Sequence, residues 1–280
     1  MTATINVGDT CYVKLRDNKE RLFRYLCGLV SWIKFTKISA ITFCENSNTD
    51  YDFTNIIEFA NYHDKQLEVL VFDGNQNTKK YGKGYGEGKI LDYAVNHSQF
   101  LVNNPEKNFY KITGHTFVEN FDNISERHLG LQNVFDKNSM DKKYLFLEKA
   151  PWDFMFDQQI YTMSLPERFK LMKRSIAKYV FHLSLGQWRG RPHIKSKIST
   201  RFYKCNVGFY KTYLINAYKK VNDSQGYFLE KVYGDELEGK DFVSFLEPYR
   251  FVGISGTGGN LLSGAVDYTP EIQSIAQKFM

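Results

Sequence analysis

Along the first half of the chain, apolar positions switch repeatedly between strand-like runs and helical spacing. Thr10–Leu15 is a short β-rich run that ends at the polar cluster Arg16-Asp17-Asn18, where a helix can start. Leu22, Tyr25, Leu26, Leu29, Val30 and Ile33 then recur every three or four residues, which predicts a helix with one buried face. Ile38–Cys44 is a continuous apolar run of strand length, as expected of a strand covered on both faces, and it stops at the turn-forming Glu45-Asn46-Ser47-Asn48-Thr49-Asp50. Asp52 or Thr54 is placed to cap a helix whose apolar face is Ile56, Ile57, Phe59 and Ala60. Leu67–Phe72 reads as a third strand ending at Asp73-Gly74-Asn75, and Asn108–His115 as a fourth that turns at Gly114.

Between the third and fourth strands lies Lys79-Lys80-Tyr81-Gly82-Lys83-Gly84-Tyr85-Gly86-Glu87-Gly88-Lys89, with glycine at every second position from Gly82 to Gly88. Such spacing is costly inside a helix or strand and predicts a loop. Ile90, Leu91, Ala94 and Val95 follow at helical spacing, so the loop is expected to open a helix and to present free N–H groups and nearby lysines to an anion such as a phosphate. The Walker phosphate-loop spacing fails, because Ile90 follows Lys89 where Ser or Thr is required, and no Gly-x-Gly-x-x-Gly can be read. A flexible loop with solvated lysines is the competing reading.

Four strand-then-helix alternations predict an α/β fold with a mostly parallel sheet wrapped by helices. In such sheets ligands bind beyond the carboxyl ends of the strands. Here those ends are Arg16-Asp17, Glu45-Asn46-Ser47, Asp73-Gly74-Asn75 and Thr113-Gly114-His115, all polar.

Composition changes this picture little. With 42% hydrophobic and 24% charged residues among 280, the chain reads as globular, and a net charge of +6 favours anionic partners without requiring them. Tyr and Phe together lift the aromatic share to 16%, a level that suits core packing or sugar-stacking clefts. Cys11, Cys27, Cys44 and Cys205 are too dispersed for a zinc site or a disulfide framework, and reduced buried thiols are expected. Neither a signal peptide nor an apolar run of the roughly 20 residues a membrane span needs is visible. The expectation is a soluble, cytoplasmic protein, with peripheral membrane contact left open.

The order of these features resembles the nucleotide-sugar-binding half of a GT-A-type glycosyltransferase, over about residues 8 to 120. In that family a second strand ends in an acidic, Ser- and Asp-containing loop, which Glu45–Asp50 resembles, and a third leads to a glycine-containing loop and a helix under the donor, similar to Gly82–Val95. Phe43-Cys44-Glu45-Asn46-Ser47, Lys83-Gly84-Tyr85-Gly86-Glu87 and Lys111-Ile112-Thr113-Gly114-His115 are similar to a subgroup of surface-glycan glycosyltransferases met in bacterial polysaccharide clusters and some large viruses. The resemblance implies a Rossmann-type, GT-A-like fold, with residues 8–122 as the nucleotide-sugar half and 123–280 as a smaller, mixed acceptor-side and catalytic half. It implies a nucleotide-sugar donor, a glycan acceptor, and a donor site drawn from Lys14, Arg16, Glu45, Asn46, Asp73, Gly74, Lys83, Gly84, Gly86, Glu87, Thr113, Gly114 and His115. One departure stands out: the family's metal-binding Asp-x-Asp is replaced at the fourth strand by Thr113-Gly114-His115, and Asp50-Tyr51-Asp52 lies one strand too early. No metal ligand is therefore assigned; Mn²⁺ or Mg²⁺ is compatible with the chain but implied by no motif. Positive side chains would then stabilise the departing phosphate.

In the second half, Lys143–Glu148 reads as a strand, Pro151–Asp157 as an aromatic segment, Pro166–Leu185 as an amphipathic helix, and Gln187–Lys204 as the most basic stretch. Arg201, at the start of the expected strand Thr200–Tyr203, is its best-placed cation for a donor phosphate. Phe209–Lys220 reads as a helix, and Arg250–Gly256 as a strand and loop. The resemblance also implies a general base near the start of a late helix, which Glu230 or Asp223 matches. Two alternatives stand beside the transferase. A sugar nucleotidyltransferase would need a glycine loop directly after the first strand. A non-catalytic protein could bind nucleic acid or an anionic surface through residues 189–204, although no nucleic acid is expected under the leading reading.

Overall fold

The apolar run identified after the first helix is the central strand of the observed fold. In a computed structural model, which describes residues 1–10, 13–136, 197–254 and 266–280 together with Pro166, Phe169 and Lys173, strand β2 (Ala40–Glu45) lies between two parallel neighbours. On one side it pairs along its whole length with β3 (Gln66–Val71), Ala40 opposite Gln66 and Glu45 opposite Val71. On the other it pairs only at Cys44 and Glu45, with β1 (Thr2–Ala3). Thr2 in turn bridges in parallel to Thr113, just past the end of β4 (Asn108–Ile112).

The chain is thus mixed α/β, with a three-stranded parallel sheet and smaller antiparallel ones. β5 (Thr116–Val118), β6 (Phe202–Asn206) and β7 (Phe251–Gly253) supply the latter, as β4 pairs antiparallel with β6 and β5 with β7. Two sequence expectations are corrected here. The first strand is Thr2–Ala3, not Thr10–Leu15: Thr10 and Val13–Leu15 carry no strand, while Ala3, Ile5 and Val7 alternate inward from the amino end. The fourth strand is not simply one more parallel member, because its full length is taken up by β6 running the other way.

Helix α1 (Asn18–Phe35) is capped by Asp17, whose side chain accepts the Glu20 N–H, and buries Leu22, Leu26, Leu29, Val30 and Ile33 against the sheet. Each such side chain, fully buried, contributes roughly 1.5–3 kcal/mol, enough to outweigh the ~1 kcal/mol that Gly28 costs in mid-helix. Gly28 has a steric reason: a Cβ there would lie 2.2 Å from the Gly114 carbonyl oxygen, so its absence lets α1 press against the turn after β4. Helix α2 (Thr54–Tyr62) precedes β3, and Asp52 accepts the Thr54 N–H at its start.

Helices α3 (Thr78–Tyr81) and α4 (Lys83–His97) follow β3, and α5 (Phe121–Arg127) follows β5. In the later chain come α6 (Val207–Tyr213), α7 (Leu229–Glu236) and α8 (Pro270–Gln277), the last packed on α1. The helix expected over Phe209–Lys220 is broken. Asn216 adopts a left-handed conformation at φ 62°, which asparagine tolerates, and its N–H turns to the buried Asp92 carboxylate before a 3-10 turn at Ala217–Lys220.

The chain divides into two compact units, residues 1–136 with 198–280, and residues 137–197. The stretches 8–122 and 123–280, expected as two halves of one domain, are joined within the first unit by the β4–β6 and β5–β7 pairings. The expected strand Lys143–Glu148, the aromatic segment Pro151–Asp157, most of the helix Pro166–Leu185, the basic stretch through Ser196, and Ser255 onward to residue 265 lie outside the described residues.

Candidate functional site

The glycine-rich stretch is helix, not loop, and this correction shapes the site. Gly82 alone is non-helical, with φ 99°, and it separates α3 from α4; Gly84, Gly86 and Gly88 are inside α4. They are there because neighbours come too close for side chains. A Cβ at Gly88 would lie 2.3 Å from Tyr218 Cβ, one at Gly84 3.1 Å from the Leu229 backbone nitrogen, and one at Gly86 2.7 Å from Thr78 Cγ2. The alternating glycines therefore let other chain segments approach α4 closely, a use the periodicity alone does not distinguish from a loop.

Lys83 and Gly86, in the first turn of α4, line a cavity together with Thr4, Asn75 and Thr113, residues just beyond β1, β3 and β4. This small cavity, of about 70 Å³, is also lined by Arg21, Glu87 and His115. That is room for about two waters and well below the roughly 300 Å³ of a drug-sized pocket, so a larger ligand would lie mostly over the open rim.

Around this cavity the charges converge. Lys111, on β4, is a lysine in the middle of an apolar strand and is 2% exposed. Its ammonium contacts the Glu87 carboxylate and the Thr200 carbonyl, and donates to Thr113 Oγ1 at 3.3 Å, so three acceptors meet its three N–H groups. Burial opposes ionisation of Glu87, yet Lys111, Lys83 and Arg201 outweigh it and hold the carboxyl below its ordinary range. His115 shows the other side of the same field. Burial, followed by the positive charges of Arg21, Lys83, Lys111 and Arg201, holds its pKa well below the usual histidine value, so the ring is neutral at pH 7. Lys83 and Arg201 are themselves exposed, at the rim.

Other expected donor-site residues are occupied in building the scaffold. Glu45 is fully buried and accepts from the Ile5 N–H at 2.9 Å, the Ser47 N–H at 2.9 Å, the Ser47 hydroxyl and the Thr49 N–H at 3.3 Å. It fixes the loop after β2 and has no oxygen to offer outward. Asn46 accepts from the Thr4 hydroxyl at 2.6 Å, while its Nδ2 is buried without a hydrogen-bond partner beside Gly86. Asp73 is exposed and accepts from Gln76 Nε2, and the Gly74 N–H donates to the Asn46 carbonyl. Gly114 is locked between α1 and β1, its N–H donating to Thr2 O at 2.8 Å. Lys14 is exposed, and Arg16 donates to the carbonyls of Gly8 and Thr10, ordering the segment after β1; both follow from the shifted first strand, whose carboxyl end is Thr4-Ile5-Asn6.

Sequence reasoning missed Arg21 and passed over Lys111 as a site residue. Arg21 is 6% exposed and donates to the Thr4 and Leu15 carbonyls and to the Tyr25 hydroxyl, tying down both ends of the loop over the cavity. A charged residue one turn before Tyr25 on the apolar face of α1 was the available signal, as was a lysine between Tyr110 and Ile112 in β4.

The two carboxylates expected as catalytic bases both reach this region, with different duties. Asp223 is buried and accepts the Gly84 N–H at 3.3 Å, so it caps α4 from another part of the chain. Burial raises its pKa, the Glu230 charge adds to that, and its Oδ1 has no hydrogen-bond partner. Glu230, in the first turn of α7, is partly exposed; its carboxylate makes no hydrogen bond among the described residues and lies within the fields of Lys111 and Asp223.

Among the described residues no cluster of three or more His, Cys, Asp or Glu side chains is arranged to hold a metal ion, and no helix is long and apolar enough to cross a membrane. Cys27, Cys44 and Cys205 are buried free thiols. A larger cavity, about 400 Å³, opens along the amino-terminal parts of β2 and β4, with Met1 and Lys111 among its lining residues. No protein-family model matches the chain, nor does any curated protein or solved structure.

Proposed function

We propose that this chain is a glycosyltransferase that moves a sugar from a nucleotide-sugar donor to a hydroxyl of a glycan acceptor, in surface polysaccharide or glycoprotein glycan synthesis. The observation that carries the proposal is the gathering of Lys83, Lys111 and Arg201 about Glu87 and His115 at the carboxyl end of β4, beside the amino end of α4. Fixed positive charge at a strand end, where a parallel sheet places its ligands, suits a group that departs as a nucleoside diphosphate. The exposed cations Lys83 and Arg201 would contact that diphosphate. Lys111, paired with Glu87, holds the field in place from beneath. His115, held neutral by burial and these cations, adds no charge of its own there.

Glu230 is the general base in this reading. A carboxylate that makes no hydrogen bond among the described residues, beside this cluster of cations, can take the proton of the acceptor hydroxyl as the sugar transfers. Asp223 is a positioning residue, since it caps the helix that bears Lys83 and Glu87. The protein would work in the cytoplasm, and its acceptor side would be open to a membrane surface.

Glu230→Gln tests the assignment. Transfer should fall by roughly the 10²–10⁴-fold that a general base contributes, while nucleotide binding is kept. Unaltered turnover removes Glu230 from the mechanism.

A further inference from the structure

The 70 Å³ cavity is walled by the end of β1, the start of α4, the turn after β4 and, from α1, Arg21. Arg21 is 6% exposed. Its Nε donates to the Thr4 carbonyl at 2.8 Å, its Nη1 to the Leu15 carbonyl at 3.2 Å and its Nη2 to the Tyr25 hydroxyl at 2.9 Å. All three acceptors are neutral. Among the described residues the other two of its five N–H groups have no partner, and no carboxylate pairs with it. Its neighbours are provided for: Arg24, one turn on and more exposed, has both Glu20 and Asp267, and buried Lys111 has Glu87. Burying a guanidinium without a counter-charge is costly, which directs attention to the cavity that Arg21 lines.

The rest of the wall carries the same sign. Glu87 is the one carboxylate among the described lining residues, and Lys111 takes it up. Lys83 lines the cavity as well. At His115, also in the wall, the charges that act are Arg21, Lys83, Lys111 and Arg201, all positive. The Thr113 hydroxyl accepts from Lys111, so its own hydrogen is not used in that bond and remains to be donated. By contrast, the hydroxyls of Thr4, Thr10 and Thr78 are already given to Asn46, Val7 and Asn75. What these side chains leave for the cavity is hydrogen-bond donors and positive charge. Size narrows the occupant, because room for about two waters admits an ion about as large as one water, whereas a phosphate brings four oxygens each about that large.

We infer that this cavity is a binding site for a single small monovalent anion of the chloride class, held by Arg21, Thr113 and Lys83. The ion supplies the counter-charge that Arg21 lacks and ties α1 to the end of β4 and the start of α4. It lies beneath the rim at which a diphosphate would meet Lys83 and Arg201, and it depends on no nucleotide.

The test compares sodium chloride, sodium bromide and sodium gluconate at about 0.15 M, so that ionic strength is equal and the large gluconate ion serves as the control. For a site half filled at about 10 mM, chloride and bromide should each raise Tm by about 3–6 °C over gluconate, in a curve that saturates with concentration. Arg21→Met should lose that rise. A crystal of the native chain grown in bromide should show an anomalous peak in the cavity, in contact with Arg21. That map needs no variant, so it decides the matter if Arg21→Met does not fold. Equal Tm in the three salts, or a map without the peak, overturns the site. An equal rise in Arg21→Met places the effect elsewhere on the protein and overturns it too. If phosphate takes the cavity from bromide in crystals that hold both, the site belongs to phosphate groups and the halide assignment falls.

Discussion

Replacing Lys111 by Met leaves the Glu87 carboxylate without its principal counter-charge. The Lys111 side chain is 1% exposed and that of Glu87 13%, so water does little to compensate. Removing one partner of such a pair costs roughly 3–5 kcal/mol, because a buried charge is stranded. For a unit of this size each kcal/mol lowers Tm by about 2–4 °C, so a fall of roughly 6–20 °C is expected. Urea unfolding gives the free-energy change directly through the midpoint and slope.

The pH dependence of that cost carries the sharper test. In the native protein Glu87 is held below its ordinary pKa, so its contribution is present at neutral pH and is lost as pH falls through the folded value. In Lys111→Met, burial is no longer countered by Lys111, the carboxyl moves up, and the folded state binds the proton more readily than the unfolded one. The variant should therefore recover stability relative to the native protein as pH is lowered from 7 toward 5. The double variant Lys111→Met with Glu87→Gln should also regain part of the loss at pH 7. A cost below about 1 kcal/mol, or a variant with the native pH slope, would refute the description of this pair.

Asp92 predicts the opposite slope in the native protein. Burial lifts its pKa to about 6, even though it accepts from the Tyr210 hydroxyl at 2.8 Å and the Asn216 N–H at 2.7 Å. With an unfolded value near 3.9, this group should remove about 3 kcal/mol of stability as pH rises from about 4 to above 6. Asp92→Asn should abolish that component in urea titrations at pH 4.5 and 7, and an unchanged dependence would assign it elsewhere. Gly88→Ala gains about 1 kcal/mol of helix propensity but puts a methyl 2.3 Å from Tyr218 Cβ, an overpacking that costs about 1–3 kcal/mol, for a net loss of up to about 2 kcal/mol. Gly130→Ala, with no atom within 4 Å of the new methyl, is the control and should shift Tm little.

What the sequence disclosed depended on whether local pattern and tertiary contact agreed. The Leu22–Ile33 stripe, the apolar run ending at Glu45 and the strand ending at Val71 were legible, because one-sided burial writes its period into the chain. Gly84, Gly86 and Gly88 were misleading, since glycine serves both loops and close packing, and only Tyr218, Leu229 and Thr78 reveal which. Ala3-Thr4-Ile5-Asn6-Val7 carried a strand's alternation but was passed over for the more apolar Thr10–Leu15. Thr269 followed by Pro270 is a helix-start signal for α8 that went unread in the sequence; in the fold the Thr269 side chain accepts the Ile272 N–H.

At the site, Lys83, Glu87, His115, Arg201, Asp223 and Glu230 were named from sequence, and the structure brings them into one electrostatic neighbourhood. The division of labour among them was not legible. That Glu45 is saturated by Ile5, Ser47 and Thr49, or that Asp223 caps a helix 139 residues away in sequence, depends on long-range contacts that no spacing records.

The most direct test of the proposed function is nucleotide binding by thermal shift, with UDP, GDP, CMP and their sugar conjugates, each with Mn²⁺, Mg²⁺ or EDTA. A ligand bound at 100 times its Kd stabilises the native state by about 2.7 kcal/mol, a shift of several degrees. The account predicts that one nucleotide diphosphate or its sugar conjugate raises Tm, that the shift survives EDTA, and that Lys83→Ala and Arg201→Ala each reduce it. No shift with any nucleotide, or a shift indifferent to both cations, would contradict it.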